Sequence, residues 1–354
     1  MSITDPAAPS GMRRPRPCTR VLIVDDSPTM RAMVSHTLSQ DPDIEVVGTA
    51  DGTASARDMI KQLAPDVITL DIEMPGMNGL EFLDKIMRLR PMPVVMLSTL
   101  TGRGADATVR ALELGAFDCY QKPDRAFGSD LGEELTRLVK AAANSRVRPR
   151  FVAETGQPPQ GYVPRADAMI AIGSSTGGVE TLIELLSGFP ANCPPTVIVQ
   201  HMPEAYVPTF AARLDRLSAP HVSVARSGAP LQPGHVYVAP GGTHHCEITG
   251  GPLRRCRLVV DEKMSGHRPS VDRLFLSVAR WAGASAVGAI LTGMGADGAE
   301  GLKIMKERGA MTIGQDEESC VVYGMPAAAH RIGAVTVQLP LARIAARLLS
   351  ECRA

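Results

Sequence analysis

The sequence lacks several things whose absence narrows its function. Its seven cysteines, Cys18, Cys119, Cys193, Cys246, Cys256, Cys320 and Cys352, are scattered, odd in number and nowhere spaced C-x-x-C. That spacing suggests neither the disulfide framework of a secreted domain nor a cysteine zinc site. An excess charge of one sign is missing too: Lys+Arg 37 against Asp+Glu 37 leaves no net charge, which argues against a nucleic-acid-binding output surface. No apolar run approaches membrane-spanning length, and the opening MSITDPAAPSGMRRPRP lacks the apolar core of a signal peptide. The expectation is a cytoplasmic protein with no membrane insertion. What remains is ordinary for a soluble globular chain, 44% hydrophobic and 21% charged over 354 residues, enough for about two domains.

The most informative stretch is Ala168 to Leu185, AMIAIGSSTGGVETLIEL. An apolar run to Ile172 reads as a buried strand, Gly173 to Gly178 as a tight turn, and Val179 onward as a helix. Such a turn presents a hydroxyl at the carboxyl edge of a parallel sheet, beside free N–H groups at a helix start. Gly173-x-Ser175-x-Gly177 fits the nucleophile-elbow spacing, so Ser175 is the candidate nucleophile and Ser174 the competing hydroxyl. A close-packed structural turn and a phosphate loop are the alternatives. The phosphate loop is the weaker, because G-x-G-x-x-G is not matched and no G-K-[ST] follows.

Taken in order, the chain opens with a Pro- and Arg-rich segment expected to be a disordered tail (1–19). Strand-like and helix-like segments then alternate from Arg20 to Ala143, beginning with RVLIVDDSPTMRAMV, in which Ser27 can cap a helix with Pro28 in its first turn. Alternation of this kind implies a parallel sheet covered by helices, with its ligand site beyond the carboxyl ends of the strands. The strand ends collect Asp25, Asp26, Asp71, Ser98 and Lys122. Three carboxylates together repel unless a hard cation such as Mg2+ sits between them, and a hydroxyl with an ammonium would hold the oxygens of a phosphoryl group.

VDDSPTMR, LDIEMPGMNGLEFL, MLST and QKP resemble the receiver domains of bacterial two-component response regulators. The resemblance implies that Asp71 accepts a phosphoryl group. It implies that Asp25 and Asp26 hold Mg2+ with Asp71 and the Glu73 carbonyl, and that Ser98 and Lys122 read the phosphorylated state.

A Pro-, Gly-, Gln- and Arg-rich stretch (144–166) reads as a linker. From 167 to 354 the alternation resumes, with short strands and Gly/Pro turns between His235 and Val260 that suggest an antiparallel hairpin. The fold class is therefore α/β: two doubly wound domains, a five-stranded parallel one at 20–143 and a mostly parallel one with a hairpin. At the strand ends of the second domain stand Ser175, His201 and Asp297. A neutral imidazole takes the serine proton during attack on a carbonyl while a carboxylate holds the ring's other nitrogen, which is acyl transfer through a covalent intermediate. The order Ser, His, Asp is not that of α/β-hydrolases. His244 and His245 look like a metal pair, but neighbours on a strand point to opposite faces.

GSSTGG, QHMPE, APGGTHH, GHRPSVDRLF, LTGMGADGAEGL and QDEESCVVYGMP, in this order behind a receiver domain, resemble the chemotaxis protein-glutamate methylesterases of the CheB family. Ser174 stands where that family commonly has alanine, and Gly242 and Thr243 depart from its charged pair. The resemblance implies Ser175 as nucleophile, His201 as base, Asp297 as its partner, and an oxyanion hole from the N–H groups of Thr176 and Met294. It implies hydrolysis of glutamate γ-methyl esters on chemoreceptors, deamidation of receptor glutamines, a CheA-type histidine kinase as phosphodonor, and no cofactor for the ester chemistry. The competing readings are a phosphorylation-controlled binding module with a vestigial serine site, and a nucleotide-binding output domain.

Overall fold

The computed structural model describes residues 18–98, 102–122, 129–145, 161–251 and 253–354. The expected tail up to residue 17, most of the expected linker (146–160) and Pro123 lie outside the described residues. The first unit runs β1 (Thr19–Val24), α1 (Pro28–Leu38), β2 (Ile44–Ala50), α2 (Thr53–Leu63), β3 (Val67–Asp71), α3 (Gly79–Leu89), β4 (Val94–Ser98), α4 (Gly102–Glu113), β5 (Asp118–Gln121) and α5 (Ser129–Ala143). Its sheet is parallel, in the order β2-β1-β3-β4-β5.

Every residue of β3 and β4 is buried, as in a sheet covered on both faces, and the two strands end in the expected site residues Asp71 and Ser98. Along β1 the pleat sends Val21 and Ile23 into the cluster with Val34 and Leu135, and Leu22 and Val24 into the opposite cluster with Ala56 and Leu83. Ser27 caps α1 by accepting from the Met30 N–H, with Pro28 in the first turn. Strand β1 already includes Thr19, whose N–H donates to the Asp43 carbonyl; one residue assigned to the tail is thereby paired into the sheet.

The second unit runs β6 (Met169–Ser174), α6 (Gly178–Ser187), β7 (Thr196–Gln200), α7 (Val207–Leu217), β8 (His221–Val224), β9 (His235–Val238), β10 (His244–Thr249), β11 (Arg255–Val260), α8 (Val271–Trp281), β12 (Ala286–Ile290), α9 (Ala299–Glu307), β13 (Met311–Gln315), α10 (Met325–Arg331), β14 (Val337–Leu339) and α11 (Leu341–Glu351). Seven strands pair in parallel in the order β14-β13-β12-β6-β7-β9-β8. β9 joins this sheet, and the antiparallel hairpin β10–β11 forms a separate two-stranded sheet. The chain builds outward from β6 on one side, then returns to lay β12 on its other side. β6 is thus the switch point, and the crevice at its carboxyl end is where such sheets bind ligands.

Residues 161–166, expected in the linker, already pack on this unit. Tyr162 is 5% exposed, with its hydroxyl donating to the Leu349 carbonyl, because an aromatic ring gains more from burial than from solvent. No helix among the described residues is long and apolar enough to cross a membrane.

The two units touch through the α4–β5–α5 side of the first. Ala105 and Val109 of α4 join the core cluster containing Tyr206 and Val207, while Met294, Val321 and Val322 pack on the cluster of Phe117, Tyr120 and Leu135. Polar contacts also cross between them: the Thr176 hydroxyl donates to Asp118 Oδ2 (2.7 Å), and Arg213 Nε meets Glu113 Oε1 (2.5 Å).

At the end of β6 the backbone of Gly173 passes against Val271, the first residue of α8. A Cβ on Gly173 would lie 2.2 Å from Val271 Cγ1. We expect Gly173→Ala to destabilise the second unit by about 1–3 kcal/mol through overpacking, seen as a lowered calorimetric transition. Adding Val271→Ala should recover part of that loss.

Candidate active site

Ser175 lies in the turn between β6 and α6, and its N–H donates to the Thr292 carbonyl (3.0 Å), tying the turn to the loop after β12. Ser174, the competing hydroxyl, is fully buried and donates to Gln200 Oε1 (2.6 Å). The same Gln200 amide donates to the carbonyls of Ser175 (2.8 Å) and His201 (3.0 Å). One side chain thus holds both strand-end residues, and Ser174 is its anchor; only Ser175 is partly exposed to the crevice. That crevice is lined from the second unit by Ser175, Thr176, His201 and Tyr206, and from the first by Asp118 and Cys119.

His201, after β7, meets Asp297 Oδ2 through Nε2 at 2.8 Å. Asp297 is 2% exposed and is held from several directions. The Ser270 hydroxyl (2.7 Å) and the Asp272 N–H (3.0 Å) donate to Oδ1, and the Val271 N–H (2.7 Å) donates to Oδ2. These donors open α8, so the carboxylate sits at the positive end of a helix. Burial works to raise the Asp297 carboxyl, but the His201 contact and the Asp272 and Ser270 hydrogen bonds outweigh it and hold the group below its ordinary range. An ionised carboxylate only accepts, so Nε2 carries the ring proton and Nδ1 is left as a lone pair. His201 Nδ1 is buried without a hydrogen-bond partner among the described residues. It is the imidazole atom free to take a proton.

Helix α9 begins only at Ala299, because Met294 to Gly298 form the loop that carries Asp297. Gly295 (φ +91) and Gly298 (φ +92) supply the left-handed turns this needs. Among the described residues, neither the Thr176 nor the Met294 N–H is given to a protein acceptor. His244 and His245 diverge: His245 is buried, one ring nitrogen on the Glu262 carbonyl (2.8 Å) and the other accepting from the Ser270 N–H (3.2 Å), while His244 meets Thr243. His245 therefore supports the Asp297 network through Ser270.

Gln200 and Ser270 went unmarked in the sequence, as did Thr292 and His267. Thr292 accepts the Val322 N–H and donates to the Thr176 carbonyl through one hydroxyl. His267 stacks on His201 with ring centroids 3.8 Å apart and planes 7° from parallel. Burial first, and His201 beside it second, push the His267 imidazole down to about 4, so it is neutral near pH 7.

The second cluster lies at the strand ends of the first unit. Asp25, Asp26 and Asp71 each offer a carboxylate oxygen, all within 4.8 Å of one another. Lys122 Nζ reaches Asp25 Oδ2 and Asp71 Oδ1, each at 2.8 Å. Burial raises the Asp71 carboxyl, against the pull of Lys122. The Glu73 N–H donates to Asp71 Oδ1 (3.2 Å), and Ser98 meets the Thr108 hydroxyl (2.9 Å). Oxygen ligands of this number and charge suit a hard divalent cation.

Residues 170–348 match the family model described as CheB methylesterase, and residues 21–127 that of the response regulator receiver domain. The chain is 56% identical over 336 residues to a protein-glutamate methylesterase/protein-glutamine glutaminase of Agrobacterium fabrum (93% of this chain, 95% of the relative). It is 57% identical over 334 residues to one of Caulobacter vibrioides (93% and 97%). The crystal structure of the Thermotoga maritima CheB methylesterase catalytic domain is similar to 52% of this chain and 97% of that one, with 36% identity and a TM-score of 0.50.

The depressed His267 imidazole has a consequence for stability. The unfolded chain takes up that proton near the ordinary 6.5 and the folded chain only near about 4. The stability linked to this group is therefore complete above pH 6.5 and is lost as pH falls towards about 4. Denaturant titrations over this window should show a shallower decline in His267→Phe than in the native chain.

Proposed function

Because the chain belongs to the CheB methylesterase family and is a protein-glutamate methylesterase under phosphorylation control, we propose that Ser175 is its nucleophile, His201 its base and Asp297 the partner that fixes the base. The observation that carries this assignment is the 2.8 Å bond from His201 Nε2 to Asp297, which leaves Nδ1 bare beside the Ser175 turn. In attack, the Ser175 oxygen bonds to the γ-acyl carbon of a glutamyl methyl ester and its proton passes to His201 Nδ1. The tetrahedral oxyanion is received by the Thr176 and Met294 N–H groups. Collapse breaks the bond to the methoxyl oxygen, which leaves as methanol with the proton from Nδ1. Water, deprotonated by the same Nδ1, then cleaves the acyl-serine and releases the carboxylate. A glutamine side chain offers the same acyl carbon, and its amide nitrogen leaves as ammonia with the proton from Nδ1, so one oxyanion site serves both reactions. The ester chemistry uses no cofactor.

The substrate we assign is the cytoplasmic domain of a chemoreceptor, reached in the cytoplasm, with a CheA-type histidine kinase as phosphodonor. Asp71 is the proposed phosphoryl acceptor. Asp25, Asp26, Asp71 and the Glu73 carbonyl would hold Mg2+, which when bound offsets phosphoryl charge; Lys122 and Ser98 respond to the added group. The domains are 20–143 for the receiver and 167–354 for the esterase. In the resting state the receiver covers the esterase crevice, and its Asp118 holds the hydroxyl of Thr176, the proposed oxyanion donor. A carboxylate there opposes a developing negative charge as well as blocking entry. Phosphorylation shifts the balance of a modest interdomain contact and opens it.

Two experiments test this reading. In methanol release from methylated receptor domains, Ser175→Ala, His201→Ala and Asp297→Ala should each lose about ten-thousand-fold in turnover, without adding in double variants. Ser174→Ala should lose less than about tenfold, since a buried neutral hydrogen bond contributes about 1 kcal/mol. Equal damage from Ser174→Ala would reassign the nucleophile. For regulation, Asp118→Ala in the full chain should raise the basal rate, the fragment 161–354, which keeps Tyr162 in the second core, should exceed the unphosphorylated chain, and Asp71→Asn should lose stimulation by a small phosphodonor with Mg2+. A silent Asp118→Ala, an unstimulated fragment and a stimulated Asn variant would together remove the gating reading.

A further inference from the structure

We propose that His267 is a positioning residue for the esterase base: its ring, stacked on His201 at 3.8 Å and 7°, fixes the plane of that imidazole and with it the direction of Nδ1 in the crevice that Ser175 also lines. The inference rests on His201 being the base. A single hydrogen bond from Nε2 to Asp297 anchors one atom and leaves the ring free to turn about that contact. A second ring laid flat against its face removes that rotation. The bond and the stack together determine where Nδ1 lies, and near-attack geometry is sensitive to displacements of about 1 Å.

The surrounding chain holds His267 in place. Met264 and His267 exchange both backbone hydrogen bonds (3.1 and 2.9 Å) across a two-residue turn, with Ser265 (φ 54) and Gly266 (φ 81) in the left-handed region that such turns require. The Ser265 hydroxyl donates to Asp272 Oδ2 (3.0 Å), tying the turn to the first turn of α8. The next residue, Arg268, donates to the carbonyls of Gly242 (2.8 Å) and Asp261 (2.8 Å). The turn is thus fastened on both sides, and its Asp272 anchor follows the residue whose N–H holds Asp297.

Chemistry favours a flat neutral ring here. His201 becomes an imidazolium in each half-reaction, and a charged neighbour at this distance would oppose that step. Burial keeps His267 uncharged, and the face of an aromatic ring tolerates a cation. The role is geometric, so a ring without nitrogen should fill it.

The test uses the full chain, activated by phosphodonor and Mg2+, with methylated receptor domains as substrate. His267→Ala should lower kcat by about a hundredfold, as misplacement of a reacting group does, while KM stays within about twofold. His267→Phe should restore kcat to within about threefold of the native chain, because the stacked face is retained. In proteins carrying 15N-histidine, His201 should show the Nε2–H tautomer in the native chain and in His267→Phe, and an averaged pair of tautomers in His267→Ala. Unchanged kcat in His267→Ala would overturn the proposal. A His267→Phe variant as slow as His267→Ala would also overturn it, since an imidazole nitrogen would then be needed. Activity surviving in His201→Ala would instead remove the base assignment, a different failure read in a different variant.

Discussion

A buried carboxylate at the start of a helix organises the esterase half of this molecule. Asp297 is almost wholly removed from water, and an isolated ionised carboxylate in such a place is strongly disfavoured. It stays charged because the Ser270 hydroxyl, the first N–H groups of α8 and the His201 ring all point at it. Each donor fixes something beyond the charge. His245 supports Ser270, Asp272 reaches on to the Gly301 N–H at the start of α9 (2.7 Å), and the Val271 side chain packs on Gly173 and Gly298. The loop after β12, the start of α8 and the turn after β6 therefore converge on one ionised group.

Gln200 does comparable work on the other side of the crevice. It ties the Ser174 hydroxyl to the carbonyls of Ser175 and His201, so the Ser175 turn and His201 share a brace. The second hydroxyl of the turn, Ser174, thereby has a structural role as a buried hydrogen-bond donor.

The receiver half follows a related logic with opposite sign. Three carboxylates gathered at one sheet edge are balanced by the Lys122 ammonium, which sits equally close to Asp25 and Asp71. A site poised in this way changes its charge balance when a phosphoryl group is added. The contact of Asp118 with Thr176 places a residue of the receiver's last strand directly on the esterase turn, the shortest structural route between the two chemistries.

Much of this was legible in the chain itself. Apolar runs ending in polar residues marked β1, β3, β4, β6 and β7, because strands buried on both faces leave no other place for Asp25, Asp71, Ser98, Ser175 and His201. The Asp297 loop was legible as Gly-Ala-Asp-Gly, with α9 starting directly after it at Ala299. Beyond Gln315, α10 is seven residues with a proline in its first turn and β14 is three residues, too short for periodicity to mark, whereas α11 buries Leu341, Ile344 and Leu348 at helical spacing. What only the tertiary structure decided was pairing at a distance: that β9 joins the large sheet while β10 and β11 stand apart, that Ser174 is consumed by Gln200, and that Tyr162 belongs to the second core. Stacking of His267 on His201 unites side chains 66 positions apart, and an isolated histidine carries no periodic signal of its neighbour. Local pattern records which face a residue presents; which distant group meets that face is set by how the sheets close on one another.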